Sequence, residues 1–312
     1  MRNSSDPALV IFGFNRPDFI NKRLIDLSKV NLRNVHISID FCDPTTSEQM
    51  RIQLLAFQAK HPEISHFSFH IHEVRQGLTK HITETISRVL EENDSIIVIE
   101  DDIEFNSSTI ESLKFGLEIL EKDSTIASIG CYSAIKLPRT FTHLNGFRRS
   151  PYFACWGWAT TKDIWSLYNS NLVSENILLS LGKSPSWEKL NLKKQKTWLG
   201  RFNKVINRPD FTWDIQFQYM CFKYNLVNLL PVSKVVENHG FQDSRSTHTK
   251  EKKPRWMVDH QLDSNTCKKL YNNRFIEILL NFIESETLIG DQNSYKDAKK
   301  FLKRLTLKRT II

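Results

Sequence analysis

The chain has 312 residues, of which 40% are hydrophobic and 25% are charged, with only 10 glycines and 10 prolines. This composition is typical of a folded, water-soluble protein and excludes the disordered and fibrous classes. No run of about 18 apolar residues occurs, and the short apolar stretch at 8–14 follows an acid, so neither a transmembrane helix nor a secretory signal is expected. The five cysteines form no CxxC pair, which predicts a reduced, cytoplasmic location.

The net charge of +8 is unevenly distributed along the chain. Residues 296–312 contain seven basic residues and one acid, and therefore carry +6, which leaves +2 for the preceding 295 residues. A net charge of +2 on 295 residues is too small for a nucleic-acid-binding domain, so no nucleic-acid partner is expected. Apolar residues between the basic ones predict either an amphipathic helix lying peripherally on an anionic membrane or a solvated final helix.

The first half of the chain alternates short apolar runs with amphipathic stretches. Apolar runs and alternating segments predict strands, and a 3.6-residue apolar period predicts helices. Strands separated by helices of this length indicate βαβ units and an α/β fold with a mostly parallel sheet flanked by helices. The predicted strands are 8–14, 35–40, 64–74, 95–100 and 125–130, and the predicted helices begin at Pro17 or span 46–58, 79–92 and 108–122.

The second half of the chain differs from the first in composition and in the order of its predicted elements. It is rich in aromatic residues over 152–165, helical over 187–207 and 213–224, and strand-like over 226–236. We interpret the chain as a ligand-binding half at 1–140, a second half of the same fold at 141–250, and a helical C-terminal extension with a basic tail at 251–312.

Three consecutive acids end the most apolar predicted strand. Glu100, Asp101 and Asp102 follow Ile96 to Ile99, and a buried strand that delivers three carboxylates to one edge of a sheet needs positive charge there. Mg²⁺ and Mn²⁺ take oxygen ligands, commonly one or two carboxylates together with phosphate oxygens and water. The alternative is an acidic cap on the following helix, but three acids exceed what a cap needs.

Other polar residues follow the remaining strands at the same predicted edge, where doubly wound sheets bind their ligands. Asp40 ends the second strand and can accept hydrogen bonds from a ribose or base, or cap a turn. Arg16, next to Asn15, can neutralise a phosphate or pair with an acid. Gly77, next to Arg75, permits close backbone approach before a helix whose N–H groups suit an anion.

The second half of the chain contains aromatic, acidic and histidine residues that are candidates for the functional site. Trp156 and Trp158 flank Gly157, a pattern that suits stacking on a sugar ring or, equally, an aromatic core. Asp214 opens a predicted helix and is either a catalytic acid or base or an ordinary helix-opening acid. A polar loop contains Asn238, His239 and His248, with histidine more often a packing residue than a ligand.

The order of these motifs resembles a known family. The segments FNRP, ISID, RQGL, VIEDD, CWGWATTKDIW, TWD and NHGFQDSRSTH together resemble the nucleotide-sugar-dependent glycosyltransferases of GT-A fold over residues 8–250. More narrowly, they resemble bacterial sugar transferases of surface polysaccharide and lipopolysaccharide synthesis, with a distant similarity to the N-acetylglucosaminyltransferase I type and its Glu-Asp-Asp motif.

The resemblance implies a role for each matching residue. Asp102 would ligate the Mn²⁺ or Mg²⁺ that bridges the donor diphosphate, Glu100 and Asp101 would contact ribose or sugar, and Asp40 would hold the nucleoside. Asp214 would be the catalytic base.

The other residues that match the motifs of this family would contact the sugar or the diphosphate, or bind the metal ion. Trp156, Gly157 and Trp158 would shape the donor-sugar and acceptor pocket. Asn238 would contact the diphosphate, and His248 would be a second metal ligand. The implied activity is transfer of a hexosyl or N-acetylhexosaminyl group from a nucleoside diphosphate sugar, UDP above all, to a glycan or lipid-linked acceptor.

Two other functions compete with this interpretation. A sugar-phosphate nucleotidyltransferase needs metal and a similar sheet, but it usually shows a Gly-rich basic loop after the first strand, and 14–17 is no such loop. A non-catalytic glycan-binding protein of the same fold is the second alternative, and the presence of Glu100, Asp102 and Asp214 disfavours it.

Overall fold

The computed structural model describes residues 6–134, 146–232, 235–241, 243–246, 266–271 and 274–289. In these ranges the chain forms an eight-stranded sheet and a separate two-stranded sheet. None of the helices described here has both the length and the apolar character needed to cross a bilayer.

Four strands from the first hundred residues form the parallel half of the large sheet. They are β1 (Ala8–Gly13), β2 (Asn34–Ile39), β3 (His66–Ile71) and β4 (Ser95–Glu100), arranged in the order β3-β2-β1-β4. Every neighbouring pair in this half is parallel. All of β1 and the first five residues of β4 are buried, as expected for central strands of a parallel sheet.

The other half of the sheet is mixed and continues in the order β4-β8-β6-β9-β7. Strand β8 is antiparallel to both β4 and β6, β6 is parallel to β9, and β7 is antiparallel to β9. The two-stranded sheet pairs β5 with β10 in an antiparallel manner. The bounds are β5 Ile103–Glu104, β6 Ile126–Gly130, β7 Phe147–Ser150, β8 Trp158–Thr161, β9 Val227–Pro231 and β10 Glu237–Asn238.

Helices connect the strands and follow local signals. Pro17 opens the first helix, where its missing N–H is not needed, and Asn106 caps the fourth through a reciprocal capping box with Thr109. The bounds are α1 Pro17–Leu27, α2 Pro44–Lys60, α3 Leu78–Glu92, α4 Ser107–Leu120, α5 Lys162–Trp165, α6 Ile177–Leu181, α7 Pro185–Glu188, α8 Leu192–Asn207, α9 Asp214–Lys223 and α10 Arg274–Ile289.

Two hydrophobic clusters fill the interior. The larger one surrounds the sheet and contains the side chains of β1, β4 and the helices that follow them. The smaller one contains Leu181, Trp187, Trp198 and Phe202 of α6 to α8, packed on Phe222 of α9. Phe217 and Met220 of α9 pack in the larger cluster, so α9 lies between the two clusters and is held against the sheet, with Asp214 as its first residue.

The α/β fold with a mostly parallel, helix-flanked sheet is confirmed. Two predicted elements differ from the structure. The helix predicted over 187–207 breaks between Glu188 and Leu192, because Asn191 caps a new helix there. The strand predicted over 226–236 is found as β9 over Val227–Pro231, and β10 follows the predicted range and belongs to the other sheet. Strands from both sides of residue 140 join one sheet, while the predicted basic tail at 296–312 lies outside the described residues.

Candidate active site

A cavity of about 350 Å³ opens at the carboxyl ends of β1, β2 and β4. The first residues of α9 and the segment after β10 complete its wall, so residues from distant parts of the chain meet there. The predicted site residues that line it are Asn15, Arg16, Asp40, Arg75, Glu100, Asp101, Asp102, Trp156, Asp214 and Asn238.

The Glu100–Asp102 acids lie at the floor of this cavity with one arginine. Arg16 donates to Asp101 through Nε at 3.2 Å and through a shorter Nη2 contact, and its Nη2 also lies 3.2 Å from Asp102 Oδ2. Arg23 of α1 donates from Nη1 to the backbone carbonyl of Asp101 at 3.1 Å. Of the two alternatives for Arg16, the structure therefore shows the pairing with acids.

Burial shifts the titration of these acids upward. Burial, with the neighbouring Asp102 and Asp101 adding to it, raises the pKa of Glu100 to about 8. Burial also raises the pKa of Asp101 to about 7, although Arg16 opposes the shift, and it raises the pKa of Asp102. Two of these acids therefore tend to hold protons near neutral pH while Arg16 is their cation, and a further cation could take the place of those protons.

The acids at the end of β4 fit a divalent metal ion that is held by a single protein carboxylate. Nowhere in the described ranges do three His, Cys, Asp or Glu side chains come together as a ligand set. Mg²⁺ and Mn²⁺ do not need such a set, because a single carboxylate can hold them while water and phosphate oxygens complete the shell. Asp102, which is 9% exposed and lines the cavity, suits that mode. His248 lies outside the described residues.

The short strand β10 brings a glycine against Asp102. Asn238 pairs with Ile103, and the His239 backbone N–H donates to the Asp102 carbonyl at 2.8 Å. Gly240 N–H donates to Asn238 Oδ1 at 2.8 Å, and a Cβ at Gly240 would overlap Asp102 Oδ2. Gly240 was not among the predicted residues, and the only local signal for it is a glycine beside Asn238 and His239.

Asp40 holds two segments of the chain together at the cavity wall. Its carboxylate accepts the backbone N–H groups of Phe41 at 2.9 Å, Gln76 at 2.7 Å and Gly77 at 3.0 Å. Gly77, with φ +81°, shapes the turn into α3 but does not line the cavity. Arg75 does line it, with its guanidinium 4.5 Å from the Phe14 ring centroid.

The two tryptophans of the WGW segment have different environments. Trp156 lines the cavity, half-buried between Tyr132 at 4.5 Å and Phe241 at 5.7 Å, measured between ring centroids. Trp158 is completely buried in β8 and stacks on Trp213 at 5.3 Å. Trp158 therefore belongs to the aromatic core and not to the pocket, which corrects the prediction. Gly157, with φ +65°, turns the chain into β8 and does not line the cavity either.

Asp214 opens α9 at the cavity wall. Thr212 Oγ1 donates a short hydrogen bond to Asp214 Oδ1, and the buried Trp213 anchors the same turn. Asp163, Glu237 and Asp243, which are other acids of the second half, do not line the cavity. Asp214 is thus the acid of the second half that faces the same space as Glu100 and Asp102.

The segment after β10 reaches the rim from the far end of the chain. Asn15 Nδ2 donates to the Arg245 carbonyl at 3.3 Å, and the Arg245 guanidinium pairs with Asp18 of α1 at 2.5 Å and with Asp243 at 2.7 Å. Arg245 and Ser246 line the cavity but were not predicted, since their approach depends on contacts between residues more than 200 positions apart.

Comparison with known proteins gives only distant likenesses. No family model matches the sequence, and no curated protein matches it. Among solved structures, the chain is similar to residues 1–349 of TarS from S. aureus, with 11% identity, a TM-score of 0.38, and coverage of 73% of this chain and 58% of that one. It is also similar to GalNAc-T7 crystallised with UDP, GalNAc and Mn²⁺, with 11% identity, a TM-score of 0.43, and coverage of 74% and 43%.

A third similar structure is a Bacillus anthracis chain designated a glucose-1-phosphate thymidylyltransferase, in complex with sucrose. The identity is 9%, the TM-score is 0.32, and the match covers 62% of this chain and 83% of that one. The chain spans about half the length of TarS 1–349 and of GalNAc-T7. Similarity at this level carries no conclusion about chemistry.

Proposed function

We propose that this chain is a metal-dependent glycosyltransferase of GT-A type that moves a sugar from a nucleoside diphosphate, UDP in the first instance, to a hydroxyl of a glycan or lipid-linked acceptor. One observation carries the proposal. A single cavity is lined both by the acids that end β4 and by Asp214 at the start of α9, residues more than 100 positions apart.

The acids at the end of β4 and Arg16 would bind the donor diphosphate. Asp102 would hold Mn²⁺ or Mg²⁺, and the bound metal would stabilise the charge that develops on the leaving diphosphate. Arg16 Nη1 is buried without a hydrogen-bond partner, so the guanidinium has a donor left for a ligand oxygen. Asp40 and Asn15 would contact the nucleoside from the ends of β2 and β1.

Asp214 would remove the proton from the acceptor hydroxyl. A sugar hydroxyl is too weakly acidic to attack unaided, and a positioned base contributes about 10² to 10⁴ in rate. The hydrogen bond from Thr212 fixes one carboxylate oxygen and leaves the other for the acceptor. Attack on the face opposite the diphosphate makes transfer a single displacement that inverts the anomeric carbon.

The sequence resemblance supports a narrower setting, bacterial surface polysaccharide or lipopolysaccharide synthesis on the cytoplasmic side of the membrane. The basic segment at 296–312 would attach the protein to anionic lipid there. Trp156 and Asn238 would contact the sugar and diphosphate, and His248 would be a second metal ligand.

A screen of nucleotide sugars tests this proposal. The purified protein is incubated with UDP-, GDP- and dTDP-sugars, with Mn²⁺ or with chelator, and release of the nucleoside diphosphate by hydrolysis, in which water takes the place of the acceptor hydroxyl, is measured. We expect metal-dependent release from at least one donor, reduced by Asp214→Asn but not by Asp163→Asn. Absence of release from every donor, or formation of pyrophosphate from a nucleoside triphosphate and a sugar phosphate, would contradict it.

A further inference from the structure

A second basic segment lies within the described residues. Residues 183–208 contain eight lysines and arginines and a single acid, Glu188, and so carry +7. The whole chain carries +8 and residues 296–312 carry +6, so all the other residues together carry −5. Positive charge is thus concentrated in two segments of an otherwise acidic chain.

Large apolar side chains are exposed beside this segment. Leu192 is 81% exposed, Leu178 67%, Val173 62% and Leu179 59%. Isolated exposed hydrophobic residues are normal on a protein surface, but four of them within a twenty-residue stretch indicate an interaction site.

The fold presents these groups outward. The helices α6 to α8 bury Leu181, Trp187 and Trp198 in the smaller hydrophobic cluster, which uses their inner sides. On α8, the exposed Lys193 and Lys196 lie opposite Trp198 on the helical wheel. We call the outward group the basic apolar surface; it consists of Val173, Leu178, Leu179 and Leu192 with Lys183, Lys189, Lys193 and Lys196.

We infer that the basic apolar surface docks on an anionic lipid bilayer. Anionic headgroups attract lysines, while leucines gain by leaving water for the acyl boundary, and interfacial helices combine these two contributions. Flexible lysine stems suit this boundary because they keep the ammonium in the headgroup layer. Charge repulsion disfavours the segment at 296–312 as the occupant of this surface, since both are positively charged.

Docking in this way would bring the cavity close to the membrane. Lys204 of α8 lies 3.7 Å from the centroid of the Phe211 ring, and Phe211 lines the cavity. The basic helix therefore adjoins the cavity wall. The docking proposal itself does not depend on the chemistry that the cavity performs.

Flotation with lipid vesicles tests the inference. The parent protein for this test is the full-length chain with all seven basic residues of 296–312 changed to glutamine. Any binding of this parent protein to vesicles therefore comes from the rest of the chain. We expect it to float with phosphatidylglycerol-containing vesicles at low salt and not with pure phosphatidylcholine. Each lysine near an anionic surface contributes about fivefold, so the quadruple Lys183→Gln, Lys189→Gln, Lys193→Gln, Lys196→Gln variant should lose about 10² or more in partitioning. The double variant Leu178→Ser, Leu192→Ser should lose about tenfold.

Matched variants control for net charge and for apolar content. Lys29, Lys60, Lys80 and Lys122 are also exposed. Changing these four lysines to glutamine should lower the logarithm of the partition coefficient by less than half as much as the quadruple variant of the basic apolar surface does. Ile52→Ser with Leu55→Ser on α2 should leave partitioning unchanged. Equal losses in test and control variants, or no flotation of the parent chain with anionic vesicles, would overturn the inference. So would capture of the parent chain by phosphatidylcholine vesicles alone.

Discussion

Two of the arginine–carboxylate clusters in the described part of the chain differ in charge balance. Between β7 and α10, Arg148 pairs with Glu284 at 2.9 Å, and both side chains are at most 2% exposed. Ser150 donates to Glu284 at 2.6 Å, while Ser133 and Asn281 accept from Arg148. One positive charge meets one negative charge, and neutral groups accept further hydrogen bonds from the guanidinium, although Arg148 Nε is buried without a partner.

At the cavity, Arg16 is paired with Asp101 and Asp102 while Glu100 lies beside them. Three acids share one guanidinium there, and the pKa values of all three are raised. The interior cluster is balanced in charge, whereas the cavity cluster has three acids for one guanidinium and tends to hold protons that a bound cation could replace. An excess of one charge at a concave surface is what distinguishes a ligand site from a buried ion pair.

The largest effect is expected in the interior cluster. Arg148→Met leaves Glu284 buried without its partner and should lower the free energy of unfolding by about 3–5 kcal/mol in urea denaturation. Arg149→Met, which breaks a partly exposed pair with Asp123, should cost at most about 1 kcal/mol. Adding Glu284→Leu to Arg148→Met should recover most of the loss. If the Arg148 and Arg149 variants are equally stable, the interior pair has no structural role.

Changing Asp214 in the cavity should lower catalytic activity and not stability. Asp214→Asn keeps the shape of the side chain and removes its basicity, so turnover should fall by about 10² or more while donor affinity stays nearly unchanged. The comparison variant is Asp163→Asn, which also alters an acid near a helix start but outside the cavity. Turnover within tenfold of the unmodified protein, or a product that retains the donor's anomeric configuration, would remove Asp214 from this role.

A third buried group, His81, is held neutral and should make stability depend on pH. Burial lowers the pKa of His81 from 6.5 to about 4. The unfolded chain takes up a proton near pH 6.5 and the folded chain does not, so this contribution to stability is complete above pH 6.5 and is lost as pH falls toward 4. Between pH 7 and pH 5 the His81 contribution should fall by about 1–2 kcal/mol, measured by urea denaturation as the difference between the unmodified protein and His81→Gln. The groups that face His81 are Ser38 at 2.8 Å, Asp40, His70, His72 and Arg88.

His81→Gln should remove this contribution from the pH profile of stability. His61→Gln, at a partly exposed histidine paired with Glu63, should leave the His81 contribution as it is. A profile that is unchanged by His81→Gln would mean that other groups set the pH dependence.

The smallest effect concerns the packing of β10 against the cavity acids. Gly240→Ala places a methyl group on Asp102 Oδ2 and should weaken metal-dependent UDP binding about tenfold, because the carboxylate must move. Gly200→Ala, where a Cβ meets no atom within 4 Å, should leave binding unchanged. Isothermal titration measures both, and equal affinities would show that the position of Asp102 is not set by Gly240.

Local patterns were enough to predict the parallel half of the sheet. The apolar run that ends at Glu100 and the helix that begins at Pro17 are each specified by residues within a few positions, so sequence reasoning places them correctly. The gathering of Asn15, Asp40 and Asp102 at one cavity follows from the parallel order of these strands.

Contacts between distant residues could not be predicted in this way. The pairing of Asn238 with Ile103 places Gly240 on Asp102, and no local pattern indicates it. The WGW segment was ambiguous because tryptophans suit both a pocket and a core; Trp156 faces the cavity, but insertion of β8 between β4 and β6 buries Trp158.

The central claim is that the acids at the end of β4 bind a cation and a diphosphate instead of stabilising the fold. Titration of UDP into the unmodified protein with Mn²⁺, into the same protein with chelator, and into Asp102→Ala with Mn²⁺ tests it most directly. We predict tight binding in the first case and weak binding in the other two, with Asp102→Ala remaining folded. Equal affinities in all three titrations would contradict the account.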